Sequence, residues 1–317
     1  MKYSNLFALL MCALLLFSFG CINEKPKSTE NLSSVNSTNV NSTLDEIPDF
    51  EQSSSDCQFT SSFIDPKNLK LSFSTSITGE VTCAKNKVFI LKLDGVEVSR
   101  QKIETDSPTP IEFTFYPKKD GQTEISVSSL SSRTPLYTKT LNVSPLGESR
   151  TSGKETDDFS FKSWLAYQFE VKNPINLDSV RAFLRRRDSA AQEFTNVRIQ
   201  IYPDLNGVPS KTPIASSSRS ISDLGLDDKW LIFQFSQKPN LNSGKYWVVL
   251  NIEDHPEIRV VSDTIGIRTI YGNKDQKGND YTKFMRLDVT PEGVATQTSW
   301  QNLPFDRTYS ITIHAQN

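Results

Sequence analysis

Cysteine and histidine have the most specific chemistry in this sequence, and their number and placement restrict it. The two histidines, His255 and His314, leave few partners for acid–base chemistry or for a typical zinc site. No Ser/His/Asp order, Gly-rich phosphate loop or haem motif is present. The paired carboxylates of a glycosidase need only meet in space, so sequence order neither supplies nor removes them. Of the four cysteines, Cys12 lies inside an apolar run and Cys21 follows that run after Gly20. Cys57 and Cys83 then remain as an isolated pair, which in an exported chain reads as a disulfide. They are 26 positions apart, a spacing that fits neither a metal knuckle nor a redox pair. Closing that loop is worth about 3.5 kcal/mol at best.

Oxygen donors and aromatic rings are the next candidates. Asp204-Leu205-Asn206-Gly207 has the look of a calcium-loop fragment, with Asp204 and Asn206 as ligands, and structural calcium is the one cofactor the sequence suggests. Asp and Asn before Gly more often cap a turn between strands. Asp227-Asp228 and the loop 273–280 hold further oxygens. Trp164, Trp230, Trp247 and Trp300, with Tyr202 and Tyr271, are natural stacking platforms for sugar rings, and core packing is the competing use. Trp247 lies in the apolar run from Tyr246 to Ile252 and reads as core. Trp164 and Trp300 border polar residues and read as ligand platforms. Arg185, Arg186 and Arg187 end a strand together, where they serve either anionic polysaccharide or lipid head groups or, the simpler use, a solvated edge that resists strand pairing.

The N-terminus locates the chain. Lys2, the apolar run from Leu6 to Phe19 and Gly20-Cys21 form a signal peptide over residues 1–20, too short to favour a stable spanning helix. The junction Ser18-Phe19-Gly20-Cys21 resembles the lipobox of bacterial and archaeal lipoproteins, although Ser18 and Phe19 depart from its usual residues. That resemblance implies lipidation of Cys21 and attachment at the outer face of the cytoplasmic membrane or the cell surface. Residues 21–56 are rich in Ser, Thr, Asn, Glu and Lys and lack apolar periodicity, so they read as a disordered tether. Within it Asn31, Asn36 and Asn41 fit the N-glycosylation acceptor, as does Asn142 further on. With 35 basic and 37 acidic residues in 317, the net charge of -2 gives no attraction to nucleic acid.

Two all-β domains follow the tether. Residues 57–145 carry short alternating runs such as Leu69, Leu71 and Phe73, then Ile111, Phe113 and Phe115, then Ile125 and Val127. Asp94-Gly95 marks a two-residue hairpin, and Lys119-Asp120-Gly121 a second turn. About seven strands without a helix predict an immunoglobulin-like sandwich, although the buried Trp of antibody domains is missing. Residues 146–158 are rich in Gly, Ser, Thr and charge and read as a linker. Residues 159–317 again alternate, at Val180, Ala182 and Leu184, at Val197, Ile199 and Ile201, and at Leu231, Phe233 and Phe235, which predicts a jelly-roll-like β-sandwich.

In this second region Tyr167-Gln168-Phe169, Leu177-Asp178-Ser179-Val180, Val197 to Tyr202 with Asp204, Gly207 and Pro209, and Gly244 to Leu250 resemble the choice-of-anchor β-sandwich modules of prokaryotic surface proteins. The resemblance covers roughly residues 155–315. It implies an extracellular module joined to an anchor, and it brings no catalytic residues. The expectation is therefore a non-enzymatic cell-surface lipoprotein, presenting two β-sandwiches for envelope structure or adhesion. Its partners are the membrane through an N-terminal lipid, and surface polysaccharide or envelope proteins. The alternative is a carbohydrate-binding module, with a glycoside hydrolase third.

Overall fold

Alternation of apolar and polar residues produces seven strands in the first region: β1 (Gln58–Phe63), β2 (Thr75–Thr82), β3 (Val88–Leu93), β4 (Val96–Lys102), β5 (Thr109–Phe115), β6 (Gly121–Ser129) and β7 (Tyr137–Val143). They pair antiparallel into a three-stranded sheet, β1-β2-β5, and a four-stranded sheet, β4-β3-β6-β7. Ile77, Val81, Ile111 and Phe113 of one sheet face Phe89, Leu91, Ile125 and Val127 of the other in a buried core, while Thr60, Glu80, Glu112 and Thr114 point to solvent. This is the expected immunoglobulin-like sandwich. Asp94 (φ 49°) and Gly95 (φ 81°) close the β3–β4 hairpin in the left-handed conformation such a turn requires. Cys57 and Cys83 are joined by a disulfide, with Cα atoms 4.7 Å apart, at the ends of paired strands.

The structure is a computed structural model, and it describes residues 57–63, 69–83, 85–105, 108–132, 134–152, 155–160, 163–186, 196–253, 264–271, 282–289, 295–297, 299–302 and 307–316. The signal segment, the tether, Cys21, Asn31, Asn36, Asn41, Arg187, His255 and the loop 273–280 lie outside the described residues.

The second region holds β8 (Leu146–Glu148), β9 (Glu155–Ser160), β10 (Ser163–Val171), β11 (Ile175–Arg186), β12 (Asn196–Leu205), β13 (Val208–Pro209), β14 (Ala215–Ser220) and β15 (Lys229–Gln234). It continues with β16 (Asn240–Leu241), β17 (Gly244–Ile252), β18 (Thr264–Tyr271), β19 (Thr282–Val289), β20 (Ala295–Gln297), β21 (Gln301–Asn302), β22 (Arg307–Tyr309) and β23 (Ile311–Ala315). Two eight-stranded sheets result. One follows the path β13-β12-β17-β10-β19-β20, with β14 on β12 and β21 on β19. The other follows β22-β18-β11-β23-β8, with β15 and β16 on β11 and β9 on β18. Ile199, Ile201, Val248 and Leu250 from the first, and Val180, Leu184, Phe233 and Ile313 from the second, contribute to the buried core.

Three expectations are corrected. Residues 146–158 are not a spacer: Leu146, only 2% exposed, pairs with Ile313, and β9 pairs along β18 from Ser160–Thr264 to Glu155–Thr269. Gly147 (φ 89°) makes the first pairing close, because a Cβ there would strike the Ile311 carbonyl oxygen. The Leu69-Leu71-Phe73 alternation is not a regular strand. Leu69 and Leu71 do enter the core, but Ser72 takes φ 69° and the Phe73 N–H turns back to the Lys70 carbonyl at 3.1 Å. Arg185 and Arg186 do not form a free edge, because β11 is paired there with β18 and, at Leu184, with Lys229 of β15.

All the described residues belong to one compact unit, Ser53–Asn317, and specific contacts join its two sandwiches. Ser72 Oγ accepts the backbone N–H groups of Lys172 and Asn173, each at 2.7 Å, and donates to the Asn173 carbonyl at 2.8 Å. Asn173 Nδ2 returns a bond to the Ser72 carbonyl at 2.8 Å. A second contact joins Asp120, in the turn before β6, to His314 and Ala315 of β23.

Candidate functional site

In the sheet β12-β17-β10-β19, every second side chain leaves the core and faces outward, as the period-2 geometry of strands demands. Register places them in rows. Tyr202, Trp247 and Gln168 lie abreast on β12, β17 and β10. Gln200, Val249, Ala166, Lys283 and Asn302 form the next row across five strands, and Arg198 and Asn251 the row beyond. This face is aromatic and polar together.

Hydrogen bonds fix the polar members. Trp247 Nε1 donates to Asp204 Oδ1 at 2.6 Å, Gln168 Nε2 donates to the same oxygen at 2.9 Å, and the Gly207 N–H donates to Asp204 Oδ2 at 3.1 Å. Arg198 Nε donates to Asn251 Oδ1 at 2.9 Å, Asn251 Nδ2 to Gln200 Oε1 at 3.1 Å, and the Tyr202 hydroxyl to Gln200 Oε1 at 3.2 Å. Burial pushes the Tyr202 phenol above its ordinary value, with Arg198 opposing, so at neutral pH it is a hydrogen-bond donor. Lys283 Nζ donates to Asn302 Oδ1 and sits 5.7 Å from the centroid of the Trp247 ring, within cation–π range.

Each residue singled out from sequence now has a place. Trp247 is fully buried, but in a second cluster with Ala166, Tyr202 and Val249 on the outer face rather than between the sheets. Trp164 and Trp300 are partly buried and pack against that cluster. The structure therefore brings the two expected platforms together, on one aromatic floor. Asp204 and Asn206 meet in a turn: Asn206 (φ 55°) and Gly207 (φ 82°) connect Leu205 to Val208, and the Asp204 carboxylate caps that turn and anchors Trp247. Among the described residues no three His, Cys, Asp or Glu side chains gather as a metal site. Asn142 is exposed on β7.

Sequence reasoning missed one arrangement of catalytic appearance. His314 Nδ1 is 2.7 Å from Asp120 Oδ2, and His314 Nε2 is 2.8 Å from Thr312 Oγ1. Thr312 is only 4% exposed, so its hydroxyl is closed to a substrate, and the trio serves the junction between sandwiches. A signal existed in principle, because His314 and Thr312 are two apart on a strand and must share a face. Nothing in the sequence pointed to Asp120.

No family model matches the chain, and no curated protein matches it. Among solved structures it is similar to one of the carbohydrate-binding modules of the β-sandwich superfamily, studied for their promiscuous specificity. That likeness has 8% identity and a TM-score of 0.21, covering 62% of this chain and 98% of that one. A second is the M60 catalytic domain with its CBM51-1 and CBM51-2 domains from Clostridium perfringens ZmpB, at 11% identity and a TM-score of 0.22, covering 79% of this chain and 39% of that one. The strand pairing within this chain itself defines the class: an all-β protein of two joined sandwiches.

Proposed function

We propose that this chain is a non-enzymatic carbohydrate-binding protein of the cell surface, held to the membrane by a lipid on Cys21 and extended from it by the tether 21–56. One observation carries the binding reading. Trp164 and Trp300, both partly exposed, pack against the cluster of Ala166, Tyr202, Trp247 and Val249, on a face that carries hydrogen-bonded Gln, Asn, Asp and Arg side chains. Indole faces stack on the apolar C–H faces of pyranose rings, and fixed amides and charges supply the directional contacts that select hydroxyl patterns. Such a face supports the carbohydrate-binding reading over a purely structural or adhesive role.

The anchor rests on the sequence motif alone. Replacing Cys21 by Ser is expected to move the protein from the membrane fraction to the soluble exported fraction. Retention of Cys21→Ser in membranes would replace the lipid by an uncleaved apolar helix. For the binding face, the full chain is expected to retain surface polysaccharide in an affinity gel, and Trp164→Ala to lose that retention. Equal retention by the variant would remove the face from consideration.

A further inference from the structure

The other large sheet has an outer face of its own. Along β11 the core residues Val180, Ala182 and Leu184 alternate with Arg181, Phe183 and Arg185, and along β15 Leu231 and Phe233 alternate with Trp230 and Ile232. Register sets Phe183 beside Trp230 and Arg181 beside Ile232. The two rings have centroids 5.3 Å apart and planes inclined at 46°, and both are partly exposed. Ile232 is 42% exposed. Arg181 and Arg185 bracket Phe183 on the same face, each a two-residue step of about 7 Å away.

The two guanidiniums differ in their company. Arg185 Nε lies 4.0 Å from Asp228 Oδ1, whereas the side chain of exposed Arg181 makes no hydrogen bond or ion pair among the described residues. Toward β23 the same face is closed, by the Ser310 Oγ bond to the Arg150 carbonyl at 2.6 Å and by Asp120 on His314. Among the described residues, what stays open here is the aromatic pair beside the Arg181 guanidinium.

From this juxtaposition we infer a second binding site, on Trp230, Phe183 and Arg181, that takes a uronic-acid residue of an acidic polysaccharide. The rings offer the stacking surface for the pyranose, and the Arg181 fork matches the planar carboxylate in a bidentate, charge-assisted pair. The site goes beyond the Trp164–Trp300 reading, since it uses the opposite sheet. Two sites on opposite faces of one sandwich would let a chain bridge two glycan strands.

Isothermal titration of the full chain with oligogalacturonate, and with its carboxyl-reduced counterpart, tests the assignment. Oligogalacturonate is expected to bind, and to bind less tightly in high salt. The reduced sugar should bind at least about tenfold more weakly. Arg181→Ala should cost a similar factor, Trp230→Ala should abolish binding, and Trp164→Ala should leave it unchanged. The Arg181 side chain is exposed and has no partner among the described residues, so Arg181→Ala keeps the test decisive even where Trp230→Ala destabilises the sheet. Binding of oligogalacturonate unchanged by Arg181→Ala, or no binding by the wild type, overturns the second site whatever the Trp164-dependent result. Concentration-dependent dimers broken by Trp230→Ala also overturn it, and assign the face to a second copy of the chain.

Discussion

His314 Nδ1 of the second sandwich lies 2.7 Å from Asp120 Oδ2 of the first, while Asp120 Oδ1 accepts the Ala315 N–H at 2.9 Å. One carboxylate therefore holds a side chain and a backbone group of the other sandwich at once. Burial pushes the Asp120 carboxyl up, but the His314 bond, the Ala315 N–H and the charge of protonated His314 outweigh it, and its pKa falls below the ordinary 3.8.

A carboxyl depressed in the folded state contributes stability above its unfolded pKa and loses it as pH falls through the folded value. Asp120→Asn is expected to lower stability by about 1–3 kcal/mol at neutral pH, as for leaving a buried hydrogen-bonded group with a poorer partner. The gap between variant and wild type should close below the ordinary carboxylate range. Denaturant titrations of both proteins across that range provide the check, and a gap independent of pH would contradict the assignment.

The Cys57–Cys83 disulfide ties the paired ends of β1 and β2. Mass spectrometry of the non-reduced protein is expected to show neither thiol alkylated. Cys57→Ser with Cys83→Ser should lower stability by up to about 3.5 kcal/mol. Alkylation of both thiols without reductant would refute the crosslink.

Trp247 and Trp300 share one cluster but differ in burial. Trp247→Ala removes a fully buried indole and the donor to Asp204, so about 3–5 kcal/mol of stability should be lost. Trp300→Ala should cost much less. Thermal melts of the two variants distinguish them, and a Trp247→Ala protein that melts like wild type would mean the indole does not support the sheet.

Fold class was legible from alternation, because a strand that buries one face must show period 2. The hairpin at Asp94-Gly95 was legible because few residues tolerate its backbone angles. The junction was not. Ser72 sits in an alternating run and leaves it through φ 69°, and its partners Lys172 and Asn173 are about a hundred residues on. A three-residue strand such as β8 has too few positions to show a period, so Leu146–Glu148 read as linker. At the candidate site, residue type and polar neighbours identify Trp164 and Trp300, yet only the folded sheet shows that both pack against the cluster of Ala166, Tyr202, Trp247 and Val249. The apolar run around Trp247 predicts its burial. That it faces away from the inter-sheet core follows from its neighbours Val248 and Leu250 taking the inner positions.

The central claim is that the Trp164–Trp300 face binds carbohydrate, and a glycan array followed by titration of the best ligand measures it most directly. With the full chain, a neutral polysaccharide should bind, and Trp164→Ala and Trp300→Ala should each weaken it by about 1–3 kcal/mol, roughly the loss of one stacking partner, with the melting transition nearly in place. An array on which the wild type binds no glycan, or a ligand that both variants bind as tightly as the wild type does, would contradict the account.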